Sequence, residues 1–211
     1  MIFYERAEMG LRRFFSLSAW GGLLIFLAMA ISVISGLTQA CDQSVSETIK
    51  RFHQPLVDQL VIFLTKLNSP LALLLVTLIM GVMLLYKKRK LQAVIFVAGL
   101  WGTALATTLV KELVKRPRPT DRLVEIHSPS FPSWHSATSM ALALLFLAWL
   151  YPRYKNRAFP VLLWPLLIGL SRIWLNAHWC SDVLAGWALG AFVTSTILFV
   201  YTGRKSYSQN S

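Results

Sequence analysis

Six long apolar stretches divide this 211-residue chain and constrain its fold more than any other feature. They lie at residues 18–37, 70–86, 91–110, 134–151, 159–175 and 180–201. A helix needs about 20 apolar residues to cross a bilayer, and only helices and closed barrels satisfy the backbone hydrogen bonds in lipid. We therefore predict an all-α, polytopic membrane protein with six transmembrane helices in a single domain that spans residues 1–211.

Charge is scarce and unevenly placed. The chain is 55% hydrophobic and only 14% charged, yet its formal net charge is +12. In a soluble protein such an excess would indicate nucleic-acid binding. Here the Lys and Arg residues cluster between the apolar stretches, so we expect a bilayer and an anionic substrate as partners, and no nucleic acid. Nothing in the sequence indicates an oligomeric state.

The segment 38–69, between the first two stretches, has a different pattern. Polar residues from Asp42 to Arg51 are followed by the apolar positions Leu56, Leu60 and Phe63. This pattern predicts short amphipathic helices that lie at the membrane interface.

The basic clusters also predict the orientation. If the N-terminus is cytoplasmic, the clusters at 6–13, 87–90, 153–157 and 204–205 all fall on the inner side, where Lys and Arg accumulate. Both termini are then cytoplasmic, in the plasma or inner membrane. We expect the first helix to be retained, because its apolar run is longer than that of a signal peptide.

The two cysteines, Cys41 and Cys180, match the spacing of no metal or redox motif. We predict two unpaired thiols, with a disulfide in an oxidising compartment as the alternative. His53 and His127 belong to no motif, and we expect both at the surface.

His178 and Asp182 are four residues apart, so on a helix their side chains would share a face. A carboxylate bonded to one imidazole nitrogen fixes the tautomer and leaves the other nitrogen free to attack. The structural alternative is a helix-capping pair. Asp182 is the only acidic residue after Glu125, in a region where ionisable groups are costly and usually functional, which favours the catalytic interpretation.

Three cations accompany this pair. Arg172 is predicted at the outer end of the fifth helix, where it either grips phosphoryl oxygens or anchors the helix by snorkelling. Pro117 and Pro119 interrupt the helix after Lys111, so we expect the chain to bend and return Arg118 toward the same centre. We interpret the nearby Lys115, Arg116 and Arg122 as a patch for anionic headgroups.

Ser133 and His135 fall at the predicted start of the fourth helix, where free N–H groups and the helix dipole favour an anion. Ser133 can act as the N-cap, as a phosphate donor, or as both. His135, in the first turn, is placed to donate a proton to a leaving oxygen.

Together these residues form three motifs: Lys111-x6-Arg118-Pro119, Pro132-Ser133-Trp134-His135 and Ser171-Arg172-x5-His178-x3-Asp182. At this spacing and in this order, the trio resembles the signature of the type 2 phosphatidic acid phosphatase (PAP2) family, which shares its fold with vanadium haloperoxidases. The resemblance covers roughly residues 55–200. It implies a bacterial membrane lipid phosphatase similar to phosphatidylglycerophosphatase B and undecaprenyl diphosphatases, with a helical core and no metal or other cofactor.

The resemblance also implies a role for each residue. His178 would be the nucleophile that forms a phosphohistidine, Asp182 its orienting partner, and His135 the general acid and then the base. The groups that would hold the phosphoryl oxygens are Lys111, Arg118, Ser133, Trp134 and Arg172. Trp134 stands where the family usually has glycine. A tryptophan keeps the backbone N–H if its φ is negative, but it adds bulk, so we expect an active enzyme with an altered pocket.

The sequence thus predicts hydrolysis of a lipid phosphate monoester or diphosphate on the extracytoplasmic side, with phosphatidate, phosphatidylglycerophosphate and undecaprenyl diphosphate as candidate substrates. Three alternatives remain. The first is a transporter, in which the cation cluster binds anions or lipid phosphates. The second is an inactive relative of the family, marked by tryptophan in place of glycine at position 134. The third is a haloperoxidase. Six apolar stretches weigh against the last, because haloperoxidases of this fold are typically soluble.

Overall fold

The computed structural model describes residues 2–208, with side chains for residues 9–203, and over this range it is helical, with no strand. The helices are α1 Ile2–Ile34, α2 Gln39–Lys50, α3 Pro55–Lys66, α4 Pro70–Tyr86, α5 Lys90–Val114, α6 Trp134–Tyr154, α7 Leu163–Trp174 and α8 Cys180–Ser208, with a 3-10 segment at Lys155–Leu162. The all-α prediction is confirmed.

Four segments of the described chain are long and apolar enough to cross a membrane: Met9–Ile34, Lys90–Val114, Trp134–Trp174 and Cys180–Gly203. A fifth is added if α3 and α4, which meet at a bend of 41°, count as one span. The protein is therefore a multi-pass membrane protein, but the predicted count of six is not fully confirmed. The count is lower for two reasons. Helix α4 has only 17 residues and passes as a span only together with α3, and α6, the 3-10 segment and α7 form one continuous helical stretch, Trp134–Trp174, that counts once.

Several predicted boundaries move. The first helix ends at Ile34 instead of residue 37, and α5 continues to Val114, three residues past Lys111. The sequence predicts that the fifth stretch begins at residue 159, with Pro160 in its first turn. Instead Pro160 lies inside the 3-10 segment and α7 begins at Leu163. Pro70 does occupy the first turn of α4, where the Ser69 hydroxyl accepts from the Ala72 N–H at 3.3 Å.

Helix α8 lies at the centre of the bundle and packs against α1, α5, α6 and α7. Glycines allow its close contact with α6. A Cβ at Gly186 would lie 2.6 Å from the Ser133 carbonyl oxygen, and one at Gly190 would lie 2.3 Å from that of Ala137. The spacing Gly-x-x-x-Gly favours packing of α8 against a neighbouring helix over a dimer contact, and in the structure this pair packs against α6.

Two short helices occupy the segment between α1 and α4, as predicted. On α3, Leu56, Leu60 and Phe63 are exposed. Helix α2 differs from the expectation because its polar residues Asp42 and Ser46 are buried against the bundle. The interfacial position of both helices stays a prediction.

The two ends of the bundle differ in charge. Leu11 of α1, the turn between α4 and α5, and the end of α6 lie together at one end. The start of α8 and the ends of α5 and α7 lie at the other. The clusters 87–90 and 153–157 therefore share one end, and the three motifs share the opposite end. The side chains of Arg6, Arg204 and Lys205, which also entered the orientation prediction, lie outside the described residues. Cys41 is exposed, Cys180 is half-buried, and both are free.

Candidate active site

The three motifs meet around one pocket of about 420 Å³ at the end of the bundle where α8 begins. Six of the eight predicted site residues line it: Lys111, Arg118, Trp134, His135, Arg172 and His178. Helix α3 contributes Ile62, Thr65 and Lys66 to the same wall. Ser133 and Asp182 are fully buried and lie behind this lining.

His178 precedes α8, which begins at Cys180, and Asp182 lies in the first turn of that helix. The prediction of one shared helical face is therefore wrong, although the two side chains do approach each other, with His178 Nδ1 3.4 Å from Asp182 Oδ2. The chain reaches this position through Asn176 in the left-handed region, at φ 51°. The His178 N–H then donates to the Arg172 carbonyl at 3.3 Å, which joins the parts of the third motif.

Ser130 sits between the members of this pair and was not predicted. Its hydroxyl donates to Asp182 Oδ2 in a short hydrogen bond and lies 3.5 Å from His178 Nδ1. Lys111 holds the Ser130 segment from the other side, because its Nζ donates to the carbonyls of Pro129 at 2.6 Å and Ser130 at 3.1 Å. The sequence signal is weak, since Ser130 resembles any other residue of a Ser-Pro loop.

Asp182 also has a structural role. Its Oδ2 accepts from the Trp179 N–H at 3.0 Å. In a capping box, the side chain of the third helical residue accepts in the same way from the N–H of the N-cap residue. Asp182 therefore both caps the start of α8, through the Trp179 N–H, and lies against the His178 imidazole.

Arg116 does not belong to an exposed headgroup patch, and that prediction is wrong. Its Nη1 donates to Asp182 Oδ1 at 2.7 Å and to Ser181 Oγ at 2.8 Å, while its Nη2 donates to Asp42 Oδ2 at 2.7 Å. Only 13% of the side chain is exposed. Asp42 in turn accepts from the Ser181 N–H at 3.0 Å. Helix α2 is thereby attached to the carboxylate beside His178.

Arg118 returns to the centre of the site, as the flanking prolines predicted. Its Nη1 lies 3.0 Å from His178 Nε2 and donates to the Ala177 carbonyl at 2.6 Å. Arginine only donates, so Nε2 is the acceptor and the proton of neutral His178 lies on Nδ1, toward Ser130 and Asp182. Burial and the nearby Arg118, Lys111 and Arg172 hold the pKa of His178 well below its usual value. Burial lowers the pKa of Arg118 to about 10, so it remains charged.

Arg172 is buried, with 3% of its surface exposed, which excludes the snorkelling interpretation. Its Nη1 donates to Thr65 Oγ1 at 2.9 Å, and its buried Nε has no hydrogen-bond partner in the described chain. Neither Arg172 nor Lys111 forms a salt bridge with any carboxylate whose position the structure describes. Buried cations without a counter-charge are costly, so this pocket favours an anionic ligand.

Ser133 is the N-cap of α6, and its hydroxyl accepts from the Ser136 N–H at 3.4 Å. Trp134 is the first residue of the helix and does not have a positive φ. Its ring lies edge-to-face on His135, with the centroids 5.4 Å apart. Tryptophan at this position is thus accommodated by the helical backbone, and its indole forms part of the pocket wall.

The two remaining histidines differ. His127 is exposed, as predicted. His53 is not a simple surface residue, because its Nδ1 lies 3.0 Å from Asp58 Oδ1 and its ring packs edge-to-face on Trp174. Over residues 9–203, no three His, Cys, Asp or Glu side chains lie close enough to hold a metal ion.

The model of the PAP2 superfamily matches residues 92–206, more than half of the chain. Phosphatidylglycerophosphatase B of Bacillus subtilis (strain 168) is 26% identical over 175 residues, which cover 79% of this chain and 86% of that protein. Decaprenylphosphoryl-5-phosphoribose phosphatase of Mycobacterium tuberculosis (strain ATCC 25618 / H37Rv) is 34% identical over 136 residues, or 62% of this chain and 73% of that one.

Among solved structures, the crystal structure of a transmembrane PAP2-type phosphatidylglycerolphosphate phosphatase from Bacillus subtilis is similar, with a TM-score of 0.76 and 25% identity. The match covers 91% of this chain and 97% of that one.

Proposed function

Because the chain belongs to the PAP2 superfamily and is similar to a transmembrane phosphatase of this type, we propose that it hydrolyses a phosphate monoester or diphosphate of a lipid through a phosphohistidine intermediate. The observation that carries this proposal is the state of His178. It is buried, its pKa is held well below the usual value, its Nε2 lies in a pocket with three cations, and its Nδ1 faces Ser130 and Asp182. Such an imidazole is a nucleophile beside a binding site for an anion.

In the first step, His178 Nε2 attacks phosphorus, an N–P bond forms and the bond from phosphorus to the leaving oxygen breaks. His135 donates a proton to that oxygen. The positive charge that develops on the His178 ring is stabilised by Asp182, toward which the Nδ1 proton points. In the second step, His135 accepts a proton from water, the water oxygen attacks phosphorus, and the N–P bond breaks to release inorganic phosphate.

Lys111, Arg118 and Arg172 hold the phosphoryl oxygens and offset their charge, which is where most of the catalysis of phosphoryl transfer arises. The N–H groups at the start of α6, including that of Trp134, add donors at the positive end of a helix, and Ser133 holds that end in place. With three cations in these roles, the proposed mechanism uses no metal.

The candidate substrates are phosphatidate, phosphatidylglycerophosphate and undecaprenyl diphosphate. The name of the similar Bacillus enzyme, phosphatidylglycerophosphatase B, supports phosphatidylglycerophosphate. Helix α3 supports a lipid substrate of any of these classes, because it lines the pocket with Thr65 and exposes Leu56, Leu60 and Phe63 elsewhere on the same helix. We propose that the headgroup enters past α3 on the extracytoplasmic side of the plasma or inner membrane, with both termini cytoplasmic.

The transporter alternative requires cations along a route through the bilayer. Lys111, Arg118 and Arg172 instead line one pocket at one end of the bundle. Uptake of a lipid phosphate into proteoliposomes without hydrolysis would support the transporter.

Phosphate release by the purified protein from the three candidate lipids tests the proposal. We expect release from at least one, and a fall of about 10³-fold or more in His178→Ala. His127→Ala, which changes an exposed histidine outside the motifs, should retain activity. Rapid quenching with ³²P-labelled substrate should trap label on the native protein but not on His178→Ala. Equal release by His178→Ala would refute the mechanism.

A further inference from the structure

A second and larger cavity, of about 720 Å³, lies at the end of the bundle opposite the catalytic pocket. Five helices enclose it, and its walls are largely apolar, with Phe15, Leu84, Phe96, Leu145 and Leu198 among the lining side chains. It shares no lining residue with the catalytic pocket. The two cavities are far apart along α5. Gln92 lines the second cavity and Lys111 lines the catalytic pocket, and 19 residues, or about 28 Å of helix, separate them.

Three cations line the mouth of this cavity. Lys87 and Arg89 come from the turn between α4 and α5, and Arg153 comes from the end of α6. None of the three forms a salt bridge with a carboxylate whose side chain is described. Those carboxylates belong to α2, α3, the end of α5, the segment after it and the start of α8, which all lie toward the catalytic end. Among the side chains that the structure describes, those at this mouth therefore carry a net positive charge that a ligand can neutralise.

A polar pair also lines the same cavity. Gln92 Nε2 donates to the Tyr201 hydroxyl at 3.2 Å. Gln92 Oε1 is buried and accepts no hydrogen bond from any described residue. A buried acceptor without a donor is unfavourable, so this atom is suited to a hydroxyl that a ligand supplies.

We propose that this cavity is a binding site for one anionic phospholipid of the adjacent leaflet. The acyl chain packs against the apolar walls, the phosphodiester lies among Lys87, Arg89 and Arg153, and a headgroup hydroxyl donates to Gln92. An apolar cavity with a basic mouth is complementary to such an amphiphile in both shape and charge. The proposal is independent of catalysis, because a phosphodiester lipid is not the substrate of the opposite pocket.

Retention of lipid by the purified protein tests the site. The protein is reconstituted with equal phosphatidylglycerol and phosphatidylcholine, extracted in detergent, and analysed by native mass spectrometry. We expect one retained phosphatidylglycerol per chain, and about a tenfold loss of it in Lys87→Gln/Arg89→Gln. The matched control is Lys88→Gln/Lys90→Gln, which removes two charges from the same turn at positions that do not line the cavity. It should retain the lipid.

Two further variants locate the lipid. Arg172→Gln changes the catalytic pocket and should leave retention unchanged, whereas Ala148→Phe adds bulk inside the cavity and should reduce it. Phosphatase activity of Lys87→Gln/Arg89→Gln should equal that of the native protein, which shows that the variant is folded. Equal retention of phosphatidylcholine, or equal loss in the two charge pairs, would overturn the proposal.

Discussion

At the scale of single residues, the carboxylate of Asp182 is fixed by three donors besides its contact with His178. They are the Ser130 hydroxyl, the Trp179 N–H and the Arg116 guanidinium. A carboxylate held in this way cannot turn from the imidazole, so the Nδ1 proton of His178 keeps its partner. Arg116 also binds Asp42, so α2 contributes to the position of the catalytic pair from outside the three motifs.

We therefore expect Arg116→Lys to lower kcat by about 10- to 100-fold with little change in KM, because lysine cannot bind both carboxylates in a fixed geometry. Arg116→Met should in addition destabilise the protein by about 3–5 kcal/mol, because it leaves two buried carboxylates without their cation. Steady-state kinetics and thermal unfolding separate the two effects. The control is Lys115→Gln, which changes the exposed neighbouring cation. An equal loss of kcat in Arg116→Lys and Lys115→Gln would refute a specific role for Arg116.

A second prediction at this scale concerns the proton of His178. Burial and then Arg118, Lys111 and Arg172 lower its pKa below 6.5, so His178 should stay neutral as the pH falls through the range in which an exposed histidine becomes protonated. Histidine-selective ¹⁵N NMR in detergent, with His178→Ala to assign the signal, measures this pKa. Arg118→Gln removes one of the cations and should raise it. A native titration at or above 6.5 would contradict the electrostatic picture.

The sequence predicted residues whose chemistry follows from type and order. Arg118 between two prolines and Ser133 at a helix start are examples, and the structure places them accordingly. Arg116 and Ser130 were missed because their roles depend on long-range contacts, to Asp42 in one case and to Asp182 in the other. A residue in a basic cluster or a Ser-Pro loop carries no local sign of such a partner.

At the scale of helices, the contact between α6 and α8 fixes the distance between the second and third motifs. Gly186 lies against the Ser133 carbonyl, and the Ser133 N–H donates to the Asp182 carbonyl at 2.9 Å. The start of α6, which carries Trp134 and His135, is thus joined directly to the first turns of α8. Small residues permit this approach, as is usual where membrane helices pack closely.

We expect Gly186→Ala to lower kcat by about tenfold or more, since the added methyl would lie 2.6 Å from the Ser133 carbonyl and must move one helix. The overpacking should also cost about 1–3 kcal/mol of stability. The matched control is Gly102→Ala on α5, where an added Cβ meets nothing within 4 Å. Activity and Tm of both variants, measured in the same detergent, test the prediction. Full activity in Gly186→Ala would show that the contact does not position the site.

Helices with an apolar core and a clear cap were predicted closely. Ser69 with Pro70 begins α4, and Ser133 begins α6, at the expected residues. The start of the fifth stretch was predicted wrongly, because residues 159–162 belong to the 3-10 segment Lys155–Leu162 and α7 begins only at Leu163. The apolar composition of a stretch that contains Pro160 does not show whether it extends α7 or forms a separate 3-10 segment. The burial of α2 was also missed. A polar helix can be buried when its charged side chains have partners, as Asp42 has in Arg116, and the local sequence of α2 does not show that partner.

For the whole molecule, the two ends of the bundle have different charge and different chemistry. The catalytic pocket and all the carboxylates with described side chains lie at one end, and the clusters 87–90 and 153–157 lie at the other. The positive-inside rule assigns the latter end to the cytoplasm. The arrangement of the two ends is a property of the fold, whereas their assignment to the two sides of the membrane remains a proposal that labelling can test.

Cys41 offers a native probe for this assignment, because it is exposed at the catalytic end. With Cys180→Ser removing the other thiol, we expect a membrane-impermeant maleimide to label Cys41 in intact right-side-out vesicles. Arg157→Cys in a chain lacking both native cysteines places a thiol at the opposite, basic end, and it should react only after the vesicles are opened with detergent. Both proteins should label fully once opened, which controls for reactivity. The reverse pattern would place the catalytic pocket on the cytoplasmic side, because one continuous bundle cannot present Cys41 and the 153–157 cluster to the same face.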